Sequence, residues 1–244
     1  MSQYPFHFKQ FKVNQDYCAM KIGTDGVLLG AWASINHHPQ SILDIGAGTG
    51  IIALQLAQRS DAKTIDAIEI DEDAHEQSTH NFEQSSWGDR LFCYHASAQE
   101  FASEIEDKYD LIVSNPPFFE APKVLNLQKE KNKESRAIAR FTDTLPFQHL
   151  VVCVAHLLSE TGIFATVLPE QETASFIEIA KSSNLFLRRI CRVRGTQTAP
   201  VKRCLLEFSF KQTKISSEEL TIEISRHEYT EAYKNLVQDF YLKM

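Results

Sequence analysis

Cysteines, linkers and long apolar stretches are scarce in this chain of 244 residues, and each scarcity excludes a class of protein. The five cysteines, Cys18, Cys93, Cys153, Cys191 and Cys204, are odd in number, scattered, and never form Cys-x-x-Cys. That pattern argues against a disulfide framework or a zinc site and fits a reducing cytoplasm. No apolar run approaches the length of a membrane span. The first residues, MSQYPFHFKQF, put no apolar run after their charges, so a signal peptide is not expected. Repeats, low-complexity tracts and Gly/Ser/Pro-rich linkers are absent, which leaves one domain over 41–244 with an N-terminal extension over 1–40. The histidines do not assemble a metal site. His75 and His80 do not share a helical face, and His149 and His156 share one without carboxylate ligands nearby. His37-His38 precedes Pro39 in a loop. The expectation is a soluble, cytoplasmic, metal-free protein, with a monomer favoured.

The hydrophobic fraction of 43% and charged fraction of 23% are those of an ordinary globular chain. The net charge of −7 speaks against a nucleic-acid partner until its distribution is considered. Residues 123–140 carry a local +4 and residues 188–203 a local +6, so the remainder holds −17. Basic surfaces on an acidic body are a footprint that phosphate binding would use. The same residues would also serve as solvated faces with counter-charges supplied in three dimensions, and charge alone does not separate the two readings.

From residue 41 short apolar runs alternate with amphipathic stretches. Ser41–Ile45, Thr64–Ile70, Leu91–His95, Tyr109–Ser114 and Gly162–Leu168 read as strands. Helices are expected over Ile51–Arg59, Asp73–Gln84, around Gln99–Ile105, and over Leu145–Leu158 and Gln171–Ser182. Two closing strands follow, near Phe186–Val193 and Val201–Phe210, too closely spaced for a crossover helix. The expected fold is α/β: a mostly parallel seven-stranded sheet, its last strand antiparallel, with helices on both faces.

Leu43-Asp44-Ile45-Gly46-Ala47-Gly48-Thr49-Gly50 closes the first strand and opens the first helix. Alternating glycines let the backbone turn tightly and approach a ligand, and the helix start offers free N–H groups. A dinucleotide fingerprint counted from Gly46 would need glycine at 51, where Ile51 stands. Glu69, near the end of the second strand, is placed to accept the hydroxyls of an adenosine ribose. Asp71 is expected to cap the next helix.

Asn115-Pro116-Pro117-Phe118 ends the fourth strand, where two prolines stop the sheet and stiffen the loop. In a doubly wound sheet the first and fourth strands are neighbours at the topological switch point, so this loop and the glycine turn should share one crevice. An amine conjugated to a ring is a poor nucleophile. The Asn115 side-chain oxygen and the Pro116 carbonyl could each accept one of its N–H bonds and aim its lone pair at a sulfonium methyl. Phe118 could stack on the planar group. Catalysis would be orientation and electrostatics without a strong general base.

These motifs resemble a class I, Rossmann-like methyltransferase of the amino-methylating group. Phe6-His7-Phe8-Lys9-Gln10-Phe11 and the stretch Gln15 to Trp32, with its core Lys21-Ile22-Gly23-Thr24-Asp25-Gly26, narrow the likeness. They resemble the bacterial tRNA1(Val) adenine-N6 methyltransferase family, which modifies the adenosine 3′ of the anticodon. Arg136-x-x-x-Arg140-Phe141, Lys202-Arg203-Cys204-Leu205-Leu206, Tyr229-Thr230-Glu231-Ala232-Tyr233 and Phe240-Tyr241-Leu242 carry it through nearly the whole chain. The resemblance implies S-adenosyl-L-methionine as cofactor and tRNA as partner. It implies cofactor contacts from Asp44, Gly46, Ala47, Gly48, Gly50, Glu69, Ile70, Ser97, Ala98 and Asn115, with Lys21, Thr24 and Asp25 approaching from the N-terminal segment. Asn115, Pro116, Pro117 and Phe118 would face the target base. One departure stands out: where related enzymes carry an acid for the cofactor's adenine amine, this chain has Ser97. Phe118 also replaces the commoner tyrosine, which costs a hydroxyl and keeps the stacking face.

The RNA backbone would be held by Lys129, Lys131, Lys133, Arg136 and Arg140 after the catalytic loop. Arg188, Arg192 and Arg194 would join them, expected with Ile190 on one strand face. Arg189, facing the other way, is expected to pair with acids. Rival readings fit less well. A protein-glutamine methyltransferase acting on release factors also uses Asn-Pro-Pro and an aromatic, but usually carries a helical N-terminal domain that forty residues cannot supply. A DNA adenine methyltransferase would need more mass to open a duplex. A non-catalytic RNA-binding scaffold would not need Asn115 with Gly46, Gly48 and Gly50. A NAD-dependent oxidoreductase is disfavoured by Ile51 and by the lack of a Tyr-x-x-x-Lys pair.

Overall fold

The computed structural model describes residues 5–117 and 146–243. A two-stranded hairpin, β1 (Phe6–His7) and β2 (Lys12–Val13), leads into helix α1 (Thr24–Trp32). The alternating region then runs β3 (Ser41–Ile45), α2 (Ile51–Arg59), β4 (Thr64–Glu69), α3 (Glu72–Glu83), β5 (Leu91–His95), α4 (Ala98–Glu104) and β6 (Tyr109–Ser114). After the undescribed stretch come α5 (Phe147–Leu157), β7 (Leu158–Pro169), α6 (Glu170–Ser182), β8 (Phe186–Thr196) and β9 (Val201–Ser209). The chain closes with β10 (Ser216–Ser225), β11 (Glu228–Tyr229) and α7 (Glu231–Val237).

Among the described residues the main sheet has nine strands, ordered β11-β10-β8-β9-β7-β6-β3-β4-β5. Seven of them, the run β8-β9-β7-β6-β3-β4-β5, are the expected set, and β9 runs antiparallel to both its neighbours. The count of seven is corrected by β10, parallel to β8, and by β11 beyond it. Ser-Ser-Glu-Glu-Leu-Thr-Ile-Glu-Ile-Ser lies at an exposed margin, where only Leu220 is buried, so its apolar signal is weak.

The inner strands read as continuous apolar runs because both faces are covered. Ile42, Leu111, Val113 and Ala165 face one core with α1, α2 and α7. Leu43, Ile45, Ile112 and Phe164 face the other with α4, α5 and α6. Side chains alternate between the layers, as strand geometry requires. Parallel pairing brings the carboxyl ends of β3, β4, β5, β6 and β7 to one rim, with Ile45 opposite Ser114 and Ile68 opposite Tyr94. No helix among the described residues is long and apolar enough to cross a membrane.

Candidate functional site

A cavity of about 590 Å³ opens on that rim. Its walls are the ends of four adjacent strands. Gly46 and Gly48 come from the β3–α2 turn, Glu69 to Asp71 from the β4–α3 turn, Ala96 to Glu100 from the β5–α4 turn, and Ser114 to Pro117 from the end of β6. Leu150 of α5 and Cys18, Ala19 and Met20 of the N-terminal segment complete it. Strands lie roughly 4.8 Å apart, so the β6 and β5 corners are separated by roughly 14 Å. That span suits an elongated ligand laid across the strand ends.

The three glycines of the turn all have positive φ, at 77°, 55° and 76°. Their surroundings differ. A Cβ on Gly46 or Gly48 would meet nothing within 4 Å, because both face the cavity. A Cβ on Gly50 would lie 2.5 Å from Phe82 Cε1, so this glycine serves the packing of α2 against α3. Asp44, Ala47 and Gly50 do not line the cavity. Asp44 is fully buried behind the turn, where Oδ2 accepts the Ala53 N–H at 3.2 Å and Oδ1 has no hydrogen-bond partner among the described residues. Burial pushes its carboxyl up to about 7, with nearby Glu69 adding to the effect and the Ala53 bond opposing it.

Glu69 ties the turns together. Oε2 accepts the Gly48 N–H at 2.8 Å, and Oε1 accepts those of Ile70 and Asp71 at 2.9 and 3.0 Å. A carboxylate has about four acceptor sites, so one remains for a ligand hydroxyl. Asp71 caps α3 as expected, accepting from Ala74 N at 2.9 Å. Ser97 begins α4 in a reciprocal capping box with Glu100. The end of β6 is fixed to β3 by Ser114 Oγ, which donates to the Ile45 carbonyl at 2.9 Å. Asn115 thus follows a clamped strand end, half-buried, and a Cβ on Gly26 of α1 would sit 3.9 Å from its Nδ2.

Of the N-terminal candidates, Lys21, Thr24 and Asp25 lie outside the cavity wall. Lys21 Nζ donates to the Gln15 carbonyl, and Asp25 accepts from Arg203 Nε at 2.7 Å. The residues that do reach the wall, Cys18 to Met20, went unassigned in the sequence. They are held by α3: Asn81 bonds both the Asn14 N–H and carbonyl and the Thr49 carbonyl, each at 2.9 Å, and Gln77 accepts from Tyr17 N at 3.1 Å. Buried Gln77 and Asn81, four apart on one helix face, were the available signal.

Phe118 and Lys129, Lys131, Lys133, Arg136 and Arg140 lie outside the described residues. The other basic run is described, and its single-face assignment needs correction. A bulge between Leu187 and Arg189 interrupts the alternation, and Leu187 and Ile190, three apart, pack against the same core. Arg188 is therefore not placed with Arg192 and Arg194 by simple alternation. Arg192 donates to Ser217 Oγ at 3.0 Å, and Arg194 pairs with Glu219 at 3.1 Å. Val193 and Pro169 both lie opposite Arg203, so this end of β8 is level with the rim that bears the cavity. Arg189 does pair with acids, with Glu218 at 2.8 Å and buried Glu207 at 3.5 Å. Among the described residues no group of three or more His, Cys, Asp and Glu is arranged to hold a metal ion.

Residues 22–136 match the model of the methyltransferase small domain family. Over 246 residues, covering all of both chains, the protein is 57% identical to the tRNA1(Val) (adenine(37)-N6)-methyltransferase of Christiangramia forsetii. The protein of that name from Flavobacterium johnsoniae is 55% identical, across 98% of this chain and 100% of its own. The chain belongs to the tRNA1(Val) (adenine(37)-N6)-methyltransferase family. It is an enzyme of methyl transfer, with a class I methyltransferase fold. A structure described as a predicted O-methyltransferase of Agrobacterium tumefaciens superposes with a TM-score of 0.66 at 15% identity, over 88% of this chain and 96% of that one. A TehB-like SAM-dependent methyltransferase of Corynebacterium glutamicum gives 0.50 at 16% identity, over 78% and 89%. These two likenesses speak to the fold alone. Within this family member, the signature Asn115-Pro116-Pro117 and the glycine turn meet in one cavity.

Proposed function

We propose that the protein transfers the methyl group of S-adenosyl-L-methionine to the N6 amine of an adenosine in tRNA, the one 3′ of the anticodon in tRNA1(Val). The reading is carried by one juxtaposition, the Asn-Pro-Pro loop of β6 beside the glycine turn of β3. The residues present fit the cofactor. Gly46 and Gly48 leave open space for a close ligand, and Glu69 retains an acceptor for a ribose hydroxyl. Ile70 and Ala98 offer apolar surface for a base at the next strand ends. Bound there, S-adenosylmethionine supplies an electrophilic methyl on a sulfonium.

The chain's own residues orient the acceptor. Asn115 Oδ1 and the Pro116 carbonyl each take an N–H of the amine, and the prolines hold them in place. These acceptors stabilise the positive charge that grows on nitrogen, and the proton leaves to solvent. Phe118 stacks on the extruded base. Residues 1–40 act as the extension that closes the cofactor site, and Lys21, Thr24 and Asp25 support that segment. Arg188, Arg192 and Arg194, with Lys129, Lys131, Lys133, Arg136 and Arg140, hold the RNA backbone. The enzyme works on tRNA as a soluble cytoplasmic monomer.

Nucleoside mass spectrometry after incubation with total tRNA and S-adenosylmethionine tests the reading, with N6-methyladenosine as the expected product. Asn115→Ala should lower the single-turnover rate on the order of a hundredfold or more and leave S-adenosylhomocysteine affinity near its parent value. Methylation of a release-factor glutamine, with none of tRNA, would move the acceptor to protein.

A further inference from the structure

The β5 corner of the cavity contains a carboxylate with no assigned role. Ser97 stands where a base donor would meet the protein, yet its hydroxyl is already engaged. Ser97 Oγ donates to Glu100 Oε2 at 2.7 Å and accepts the Glu100 N–H at 3.2 Å. Ser97 N also donates to Glu100 Oε2, at 3.0 Å. Both bonds that Ser97 gives to the Glu100 side chain fall on one carboxylate oxygen, Oε2. Among the described residues Glu100 Oε1 has no hydrogen-bond partner, and Glu100 lines the cavity. The two Ser97 bonds hold the Glu100 carboxyl below its usual range, so it is ionised at neutral pH.

The ligand proposed for this cavity carries an adenine whose 6-amino group is a donor needing an acceptor. The strand order sets where that base falls. With the reacting methyl at the β6 corner and the ribose at Glu69 on β4, the base reaches the β5 corner, one strand further on. An ionised carboxylate oxygen is a stronger acceptor than a hydroxyl whose hydrogen is already spent. We infer that Glu100 is the specificity residue for the cofactor's nucleobase, accepting the adenine 6-amino N–H through Oε1 while Ser97 holds the carboxylate in register. The inference rests on the cofactor placement above. It assigns to Glu100 the role that the sequence places on Ser97.

Glu100→Gln separates this role from helix capping, because glutamine keeps the capping box and removes the charge. The probes are S-adenosylhomocysteine and its 6-oxo analogue S-inosylhomocysteine, titrated calorimetrically into parent and variant. The parent should prefer the adenosine ligand by about ten- to a hundredfold, the range of a charge-assisted hydrogen bond. In Glu100→Gln that preference should fall to within about threefold, since an amide pairs with either base edge. A preference that persists in Glu100→Gln, or one missing from the parent, would overturn the assignment. A variant that weakens both ligands equally would also overturn it, since that is the behaviour of a structural cap alone. Absence of S-adenosylhomocysteine binding to the parent would instead overturn the cofactor placement itself.

Discussion

Gly48 and Gly50 sit two residues apart in one turn with similar backbone angles, yet alanine at each should fail differently. Both have φ in the left-handed region, at 55° and 76°. A Cβ there costs about 1–2 kcal/mol, offset by about 0.4–1 kcal/mol from the lower entropy of the unfolded chain. At Gly50 the new methyl also meets Phe82 Cε1 at 2.5 Å and Cζ at 3.0 Å, and that ring is fully buried. Overpacking of this kind adds about 1–3 kcal/mol. Gly50→Ala should therefore lose about 2–4 kcal/mol, a large share of a typical domain's stability. At Gly48 nothing lies within 4 Å of the added carbon, so Gly48→Ala should stay within about 1.5 kcal/mol of the parent. Its methyl enters the cavity instead and should weaken S-adenosylhomocysteine about tenfold or more. Urea unfolding and calorimetric titration of both variants measure the two quantities. Equal destabilisation of the pair, or normal binding by Gly48→Ala, would refute this division of labour within the turn.

Asp44 has a folded pKa of about 7 against 3.8 for a free side chain, so the folded protein keeps a proton that the unfolded chain loses between those values. Its burial costs stability as pH rises from about 4 through 7; Asp44→Asn should match the parent below pH 4 and gain on it above, by at most about 4 kcal/mol, in melts across pH. Asn81→Ala removes the bonds that join Asn14 to the Thr49 carbonyl. It should cost about 1–3 kcal/mol and speed proteolysis within residues 14–22, with unchanged cleavage arguing that other contacts hold the segment. Arg192→Ala and Arg194→Ala should each flatten the salt dependence of tRNA binding by about one unit per lost phosphate contact while S-adenosylhomocysteine affinity holds. Salt-insensitive tRNA binding would remove these arginines from the interface.

What the sequence disclosed followed how strongly each element is buried. Ser41–Ile45, Leu91–His95 and Tyr109–Ser114 are bounded as read, because short apolar runs between turn signals have few alternatives. Helix α1 escaped notice because Thr-Asp-Gly-Val-Leu-Leu-Gly-Ala-Trp is buried from Gly26 onward and has no polar face to mark a period. The arginine face was misdrawn for a related reason, since a bulge at Leu187/Arg189 leaves no trace in an alternation of side-chain types. At the site, the glycine turn and the Asn-Pro-Pro loop were legible because backbone chemistry allows few other residues there. The Ser97–Glu100 box was equally legible as Ser-x-x-Glu, but its meaning depends on both Ser97 bonds falling on one carboxylate oxygen of a residue that lines the cavity, which a four-residue motif does not reveal.

The strands and helix beyond the expected seven acquire a purpose from what they touch. Buried Glu207 of β9 accepts the Ser34 N–H at 2.8 Å and Ser34 Oγ at 3.0 Å, just past the end of α1. Arg189 stacks 4.1 Å over Trp32 and joins Glu207 to Glu218 of β10. These contacts pin the carboxyl end of α1 to the far half of the sheet. The other end of the N-terminal region is pinned by the chain's last residues. Phe8 bridges Tyr241, Lys9 N donates to the Phe240 carbonyl at 2.8 Å, and Lys9 Nζ reaches the Gln238 carbonyl at 2.6 Å. Cys18 to Met20, the cavity wall from this region, lie between the two anchors. A wall formed by so short a segment could not hold a fixed position alone, since ordering each residue costs about 1–2 kcal/mol. Anchoring both flanks to the C-terminal third confines that segment, so β10 and α7 contribute to the cavity without lining it.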